Sequence, residues 1–183
     1  MPNTSLLPDD LPAPGDDGAC DHLPGRPLPA MTLPASDGST VDPSTRSGRL
    51  VIFVYPRTGV PGQSLPTGWD DIPGARGCTP QSCRFRDLHA EFAALGIEVF
   101  GLSTQSSEEQ REAAERLRLP YPLLSDADLA WAGALGLPTF QADGLILIRR
   151  LTLVVDDGTI SRCDYPVFPP DAATDELLAS LRT

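Results

Sequence analysis

The chain has 183 residues, 40% of them hydrophobic and 21% charged, with a net charge of -11 and a pI near 4.4. That length supports one domain with a full core, and the acidity argues against nucleic acid or an anionic membrane surface as a partner. The N-terminal "MPNTSLLPDDLPAPGDDG" has no basic residue ahead of an apolar run, and "LVIFVY" (50–55) and "LILI" (145–148) are far too short to span a bilayer; the expected setting is the cytoplasm.

Residues 1–27 are rich in proline and acidic side chains and lack apolar periodicity. They read as an extended arm, either wrapped on the protein or mobile, ahead of a single domain over 28–183. "MTLPASDGSTV" (31–41) predicts a hairpin turning at Asp37-Gly38. "RLVIFVYP" (49–56) is a continuous β-branched and aromatic run, expected as a strand buried on both faces. A long Gly/Pro-rich loop, 57–76, follows; loops of that length inside a domain are often functional. Then come a helix over about 79–95, a strand over 97–103, and a helix over about 107–118 that opens with the capping box Ser106–Glu109. A short strand is expected at 121–126 and a short helix near 127–135. Residues 145–168 read as a hairpin turning at Asp157-Gly158, and the last helix, 172–182, presents Leu177, Leu178 and Leu181 on one side. Strands alternating with helices imply an α/β domain with a central mixed β-sheet flanked by helices, in an order that suits a thioredoxin-like fold.

The chemistry concentrates in "IPGARGCTPQSCRFRD" (72–87). Thr79 before Pro80 reads as a helix start, and Phe85, Leu88, Phe92 and Leu95 mark its buried face. Cys78 falls near that face at the N-terminus, where free N–H groups and the dipole favour a thiolate. Arg76, Arg84 and Arg86 are close enough in sequence to add positive potential. Cys83 falls on the polar side, about 140° away. On an intact helix the two Cα atoms are about 8–9 Å apart, beyond the roughly 7 Å a disulfide tolerates, so pairing requires the first turn to unwind. In a reducing compartment such a pair points to redox chemistry rather than a structural staple. A zinc site is the main competitor, yet only Cys20, Cys163, His22 and His89 remain to complete one, and no second close pair exists. Cys163, in an expected strand, reads as a buried and inert thiol; Cys20, in the arm, is an exposed free thiol or an alternative partner.

From about residue 25 to 165 the sequence resembles the peroxiredoxins, specifically the PrxQ or bacterioferritin comigratory protein group. The resemblance rests on "YPRTG", "GCTPQSCRFRD", "VFGLSTQSSEEQREAAERLRLPYPLLSD" and "RRLTLVVDDGTI". It implies a peroxiredoxin fold and reduction of hydrogen peroxide or alkyl hydroperoxides, with no cofactor or metal. It also implies a thioredoxin-type electron donor and a monomer. Carried over position by position, Cys78 matches the peroxidatic cysteine, Cys83 the resolving cysteine, and Pro56 the proline that shields the thiolate. Arg150 matches the arginine that holds the thiolate and the peroxide oxygens, or Arg149 if the register shifts by one. The family's threonine three residues before the peroxidatic cysteine is Ala75 here. Residues 59–76 look inserted, so Thr58 is the candidate to supply that hydroxyl, with Thr79 the second choice. Trp69 would bring the insertion to the site as a lining or lid, unless the loop is only surface decoration. Loss of the threonine keeps open a redox sensor or metal-binding protein without efficient turnover.

Overall fold

The computed structural model describes residues 7–183. The arm expected over 1–27 therefore lies in part, at residues 1–6, outside the described residues. In chain order there is a short antiparallel hairpin, β1 (Leu33–Pro34) and β2 (Thr40–Val41), then β3 (Arg49–Val54), α1 (Cys78–Asp87) and α2 (His89–Ala94). Next come β4 (Ile97–Ser103), α3 (Ser107–Leu117), β5 (Leu123–Ser125) and α4 (Ala130–Leu135). The C-terminal part holds β6 (Thr139–Ala142), β7 (Leu145–Ile148), β8 (Leu151–Asp156), β9 (Thr159–Asp164) and α5 (Ala172–Leu181).

Because the run 50–54 has no polar face, it forms a strand only where both sides are covered. That strand, β3, is the middle of a five-stranded sheet ordered β5-β4-β3-β8-β9, with β4 and β5 parallel to it and β8 antiparallel. The sheet is mixed and flanked by helices, the thioredoxin-like architecture expected from the element order. Val51, Phe53 and Tyr55 point to one face, where they meet Phe85, Leu88, Phe92, Leu177 and Leu178. Phe53 stacks on Phe85 with centroids 4.3 Å apart and meets Tyr121 edge-on at 5.7 Å, geometries that add to simple burial. Leu50, Ile52 and Val54 point to the other face, against Trp131, Leu135, Leu33 and Val41.

The described part of the arm belongs to this second core. Cys20, Leu23 and Leu28 are buried in it. The arm also runs alongside β9, with Gly25 N donating to Ile160 O at 2.7 Å, Ile160 N to Arg26 O at 2.8 Å, and Leu28 N to Gly158 O at 2.8 Å. His22 Nε2 bonds the Leu135 carbonyl at 2.8 Å, tying the arm to the end of α4. From about residue 20 the arm is thus wrapped on the protein, and Cys20 is buried rather than exposed.

Two predicted elements need correction. The helix expected over 79–95 is two pieces, because Leu88 (φ -98°, ψ 2°) leaves helical geometry; Phe85, Leu88 and Phe92 still share the buried face, whereas Leu95 lies past the end of α2 and is 42% exposed. The segment 145–168 is not one hairpin. Its first strand, β7, pairs with β6 around a turn at Asp143-Gly144, both at positive φ, and only β8 and β9 turn at Asp157-Gly158. Arg149 and Arg150 form the break between the two sheets.

Candidate active site

α1 begins one turn-position earlier than Thr79-Pro80 suggests. Gly77 is the N-cap at φ 109°, which a side chain resists, and Cys78 is the first helical residue. Pro80 then sits within the first turn, where its missing N–H costs nothing. A Cβ on Gly77 would also meet Leu7 and Pro170, so the glycine satisfies both backbone and packing.

Cys78 is 3% exposed. Its thiol donates to Ala75 O at 3.6 Å and receives Arg150 Nη2 at 3.1 Å. Pairing of Val54 with Leu151 places Arg150 beside Tyr55, at the end of β3 where the chain leaves the sheet. The guanidinium is buried, and all three of its nitrogens donate. Nε donates to Gly74 O at 3.3 Å, Nη2 to Ala75 O at 3.1 Å and Arg76 O at 3.2 Å, and Nη1 to Gln81 Oε1. The fixed planar donor set of arginine suits this task, which a lysine could not fill. Arg149 instead lies over the Phe140 ring at 5.4 Å, so the register points to Arg150. Tyr55 is also close to this thiol and guanidinium; burial pushes its phenol up, keeping it neutral.

Cys83 lies five residues along the same intact helix and is half-buried rather than fully on the polar side. Burial pushes its thiol up, opposed by Arg86 and Arg116. The arginines expected to support Cys78 are occupied elsewhere. Arg76 pairs with Asp70 at 2.6 Å, Arg84 with Asp175 at 2.7 Å, and Arg86 with Asp87 at 2.9 Å. The buried cation at the thiol is Arg150.

Pro56 is buried just after β3. Thr58 is also buried, but its N–H and hydroxyl both donate to Gln105 Oε1, at 2.9 and 3.1 Å. Thr58 does not line the cleft that opens on Cys78; Thr79 does. That cleft, about 430 Å³, is walled on its apolar side by Leu65, Trp69 and Leu117. The insertion is therefore part of the site. Trp69 and Ala75 are buried against Ala142 and Leu147, with Phe140 6.2 Å from the Trp69 ring, and Asp143 accepts Thr67 N at 2.7 Å. A small core of its own anchors the loop to the β6–β7 hairpin.

Sequence reasoning missed Gln81 and Gln105. Gln81 stands three residues after Cys78, hence on the same helix face, and that spacing was the available signal for a side chain joining the thiol's arginine. Gln105 gave none, since it meets Thr58 only through tertiary folding. His89 packs on Tyr121 at 5.9 Å. Among the described residues no cluster of three or more His, Cys, Asp or Glu is placed to hold a metal ion, and no helix is long and apolar enough to cross a membrane.

A thiol heading a helix, beside the end of a central strand and under a buried guanidinium, defines a thioredoxin-fold thiol redox protein. Comparison with known proteins narrows the class. The redoxin family matches residues 23–180. A candidate peroxiredoxin of Mycobacterium tuberculosis is 34% identical over 150 residues, covering 79% of this chain and 85% of its own. The crystal structure of peroxidoxin BcpB from the same organism superposes with a TM-score of 0.70 at 32% identity, over 88% of this chain and 97% of that one. The Xanthomonas campestris bacterioferritin comigratory protein shares the fold, with a TM-score of 0.66 at 22% identity over 94% and 98% of the two chains. The chain belongs to the redoxin family, as a peroxiredoxin of the PrxQ or bacterioferritin comigratory type: a thiol peroxidase.

Proposed function

We propose that Cys78 is the peroxidatic cysteine, Cys83 its resolving partner, and Arg150 the group that stabilises charge at both the thiolate and the peroxide. The observation that carries this reading is the 3.1 Å contact between Arg150 Nη2 and Cys78 Sγ, inside a guanidinium fixed by the carbonyls of residues 74–76. The Cys78 thiolate attacks the terminal peroxide oxygen. The O–O bond breaks, the sulfur becomes a sulfenic acid, and the departing oxygen leaves as water or alcohol after taking up a proton. Arg150 faces the developing negative charge without having to reorganise, the condition under which fixed donors lower barriers most. The first turn of α1 then unwinds, and Cys83 displaces hydroxide from the sulfenic sulfur, giving an intramolecular disulfide and water. A thioredoxin-type dithiol restores both thiols by exchange. Pro56 and the Thr79 side of the cleft shape the approach to sulfur. Thr58 acts at one remove, holding the 57–59 turn through Gln105.

The same reading takes the protein as a cytoplasmic monomer that needs no metal or cofactor and has no nucleic acid or membrane partner. The test is stopped-flow oxidation of the reduced protein, followed by tryptophan fluorescence. Cys78→Ser should abolish the fast phase, and Cys83→Ser should keep the first phase and lose the second. A fast phase that survives Cys78→Ser overturns the assignment, and retention of the second in Cys83→Ser removes Cys83 from its role.

A further inference from the structure

We propose that Cys20 and Cys163 form a second redox pair, which a hydroperoxide closes into a disulfide fastening the N-terminal arm to β9. These two thiols lie 143 residues apart in sequence (163 minus 20), on segments that the fold lays side by side. The pairs Gly25–Ile160, Arg26–Ile160 and Leu28–Gly158 run antiparallel. Following that ladder outward from residue 25 carries the arm past the far end of β9, where Cys163 sits. There Cys163 packs against the apolar cluster that contains Cys20. All four cysteines of the chain are free thiols.

The two members differ in access. Cys20 is 5% exposed, whereas Cys163 is half-buried and lines a cleft of about 330 Å³ together with Thr152, Tyr165 and Val167. Oxidant therefore reaches Cys163 first. Its sulfur attacks a hydroperoxide, becoming a sulfenic acid as alcohol or water leaves. Cys20, a member of the cluster Cys163 packs against, then displaces the hydroxyl as water, so two thiols lose two electrons and two protons while one peroxide is reduced. The neighbouring Cys20 thiol and burial push the Cys163 thiol up, so closure should need more peroxide than oxidation at Cys78. What it secures is the arm, which reaches the loop leading into Cys78 further upstream: Pro14 stands 3.3 Å from the position a Cβ would take on Gly74, and Leu7 lines the Cys78 cleft.

The test uses the full chain with Cys78→Ser and Cys83→Ser, leaving only this pair, so its outcome does not depend on peroxidase activity. Protein treated with excess hydrogen peroxide or diamide is digested without reductant and mapped by mass spectrometry. The expected result is an intramolecular Cys20–Cys163 peptide pair, a thermal midpoint raised by about 5–10 °C, and an arm protected from protease, all reversed by dithiothreitol. Adding Cys163→Ser should abolish the link and the rise in midpoint. Both thiols remaining alkylatable after oxidation, a link that joins two molecules, or an equal rise in midpoint with Cys163→Ser would overturn the proposal.

Discussion

Arg150→Met removes the guanidinium while keeping most of its length. Five hydrogen bonds disappear: those to the carbonyls of Gly74, Ala75 and Arg76, to Gln81, and to the Cys78 sulfur. An unpartnered buried acceptor costs about 1–3 kcal/mol, but the loop carbonyls border a cleft and water can replace some of the lost donors. A stability loss of roughly 3–5 kcal/mol follows, within the range for breaking a buried charged network, or about 10 °C or more in thermal midpoint for a chain of this size. The effect on chemistry is separate. Losing one preorganised donor at the reacting centre slows a step by about 10²–10³-fold. Single-turnover oxidation of Cys78, normalised to the folded fraction, reads it directly. Arg149→Met is the internal control, because that side chain lies over Phe140, and it should leave the rate within about twofold of wild type. If folded Arg150→Met oxidises within about threefold of wild type, electrostatic assistance by Arg150 is wrong.

Gly77→Ala should destabilise the protein by about 2–4 kcal/mol, since it combines a disfavoured positive φ with overpacking against Pro170 and Leu7; urea unfolding measures this, and a change under about 0.5 kcal/mol would contradict the packing account. Trp69→Ala should loosen the insertion far more than Trp69→Phe, because the ring fills the small core against Phe140 and Leu147. Hydrogen exchange over residues 60–76 reads the difference, and equal protection in both variants would refute it. Cys83, Cys163, Tyr55 and Tyr121 all have thiol or phenol groups pushed up on folding, chiefly by burial or, for Cys163, by the neighbouring Cys20 thiol. Such groups stabilise the fold fully below their unfolded ionisation range and progressively less as pH rises through it. Stability should therefore fall above about pH 8.5–10, and a flat profile of urea midpoints from pH 7 to 11 would exclude this linkage. The same raised Cys83 thiol predicts that disulfide formation, the second kinetic phase, speeds up from pH 7 to 9; a pH-independent phase would point to loop unwinding as the slow step.

The sequence made the central strand legible, because an uninterrupted apolar run with no polar face has few alternatives, and the α3 cap, because Ser106 and Glu109 satisfy each other locally. The pair Cys78–Arg150 was legible through the family resemblance, and the Val54–Leu151 register supplies its physical cause. Less was legible where long-range contacts decide. Arg84 and Arg86 look like partners of the thiol by proximity along the chain, yet carboxylates at Asp175 and Asp87 hold them away. The break at Leu88 has no glycine or proline to announce it. Nothing near Thr58 reveals that its hydroxyl is spent on Gln105. Cys20 and Cys163 looked unrelated because only the arm's path along β9 brings them together.

The loop leading into Cys78 is closed from both ends of the chain. Gly74 lies under Pro14, while Gly77 lies under Pro170 and next to Leu7, and the Cys78 sulfur meets Arg150, 72 residues downstream. During synthesis, a chain that has emerged only as far as α1 carries an ordinary thiol with no guanidinium over it. The reactive centre comes into being late, when β8 has paired with β3 and the segment before α5 has settled on Gly77. Partial chains on the ribosome thereby hold Cys78 and Cys83 without the buried guanidinium until Arg150 has emerged and β8 has paired.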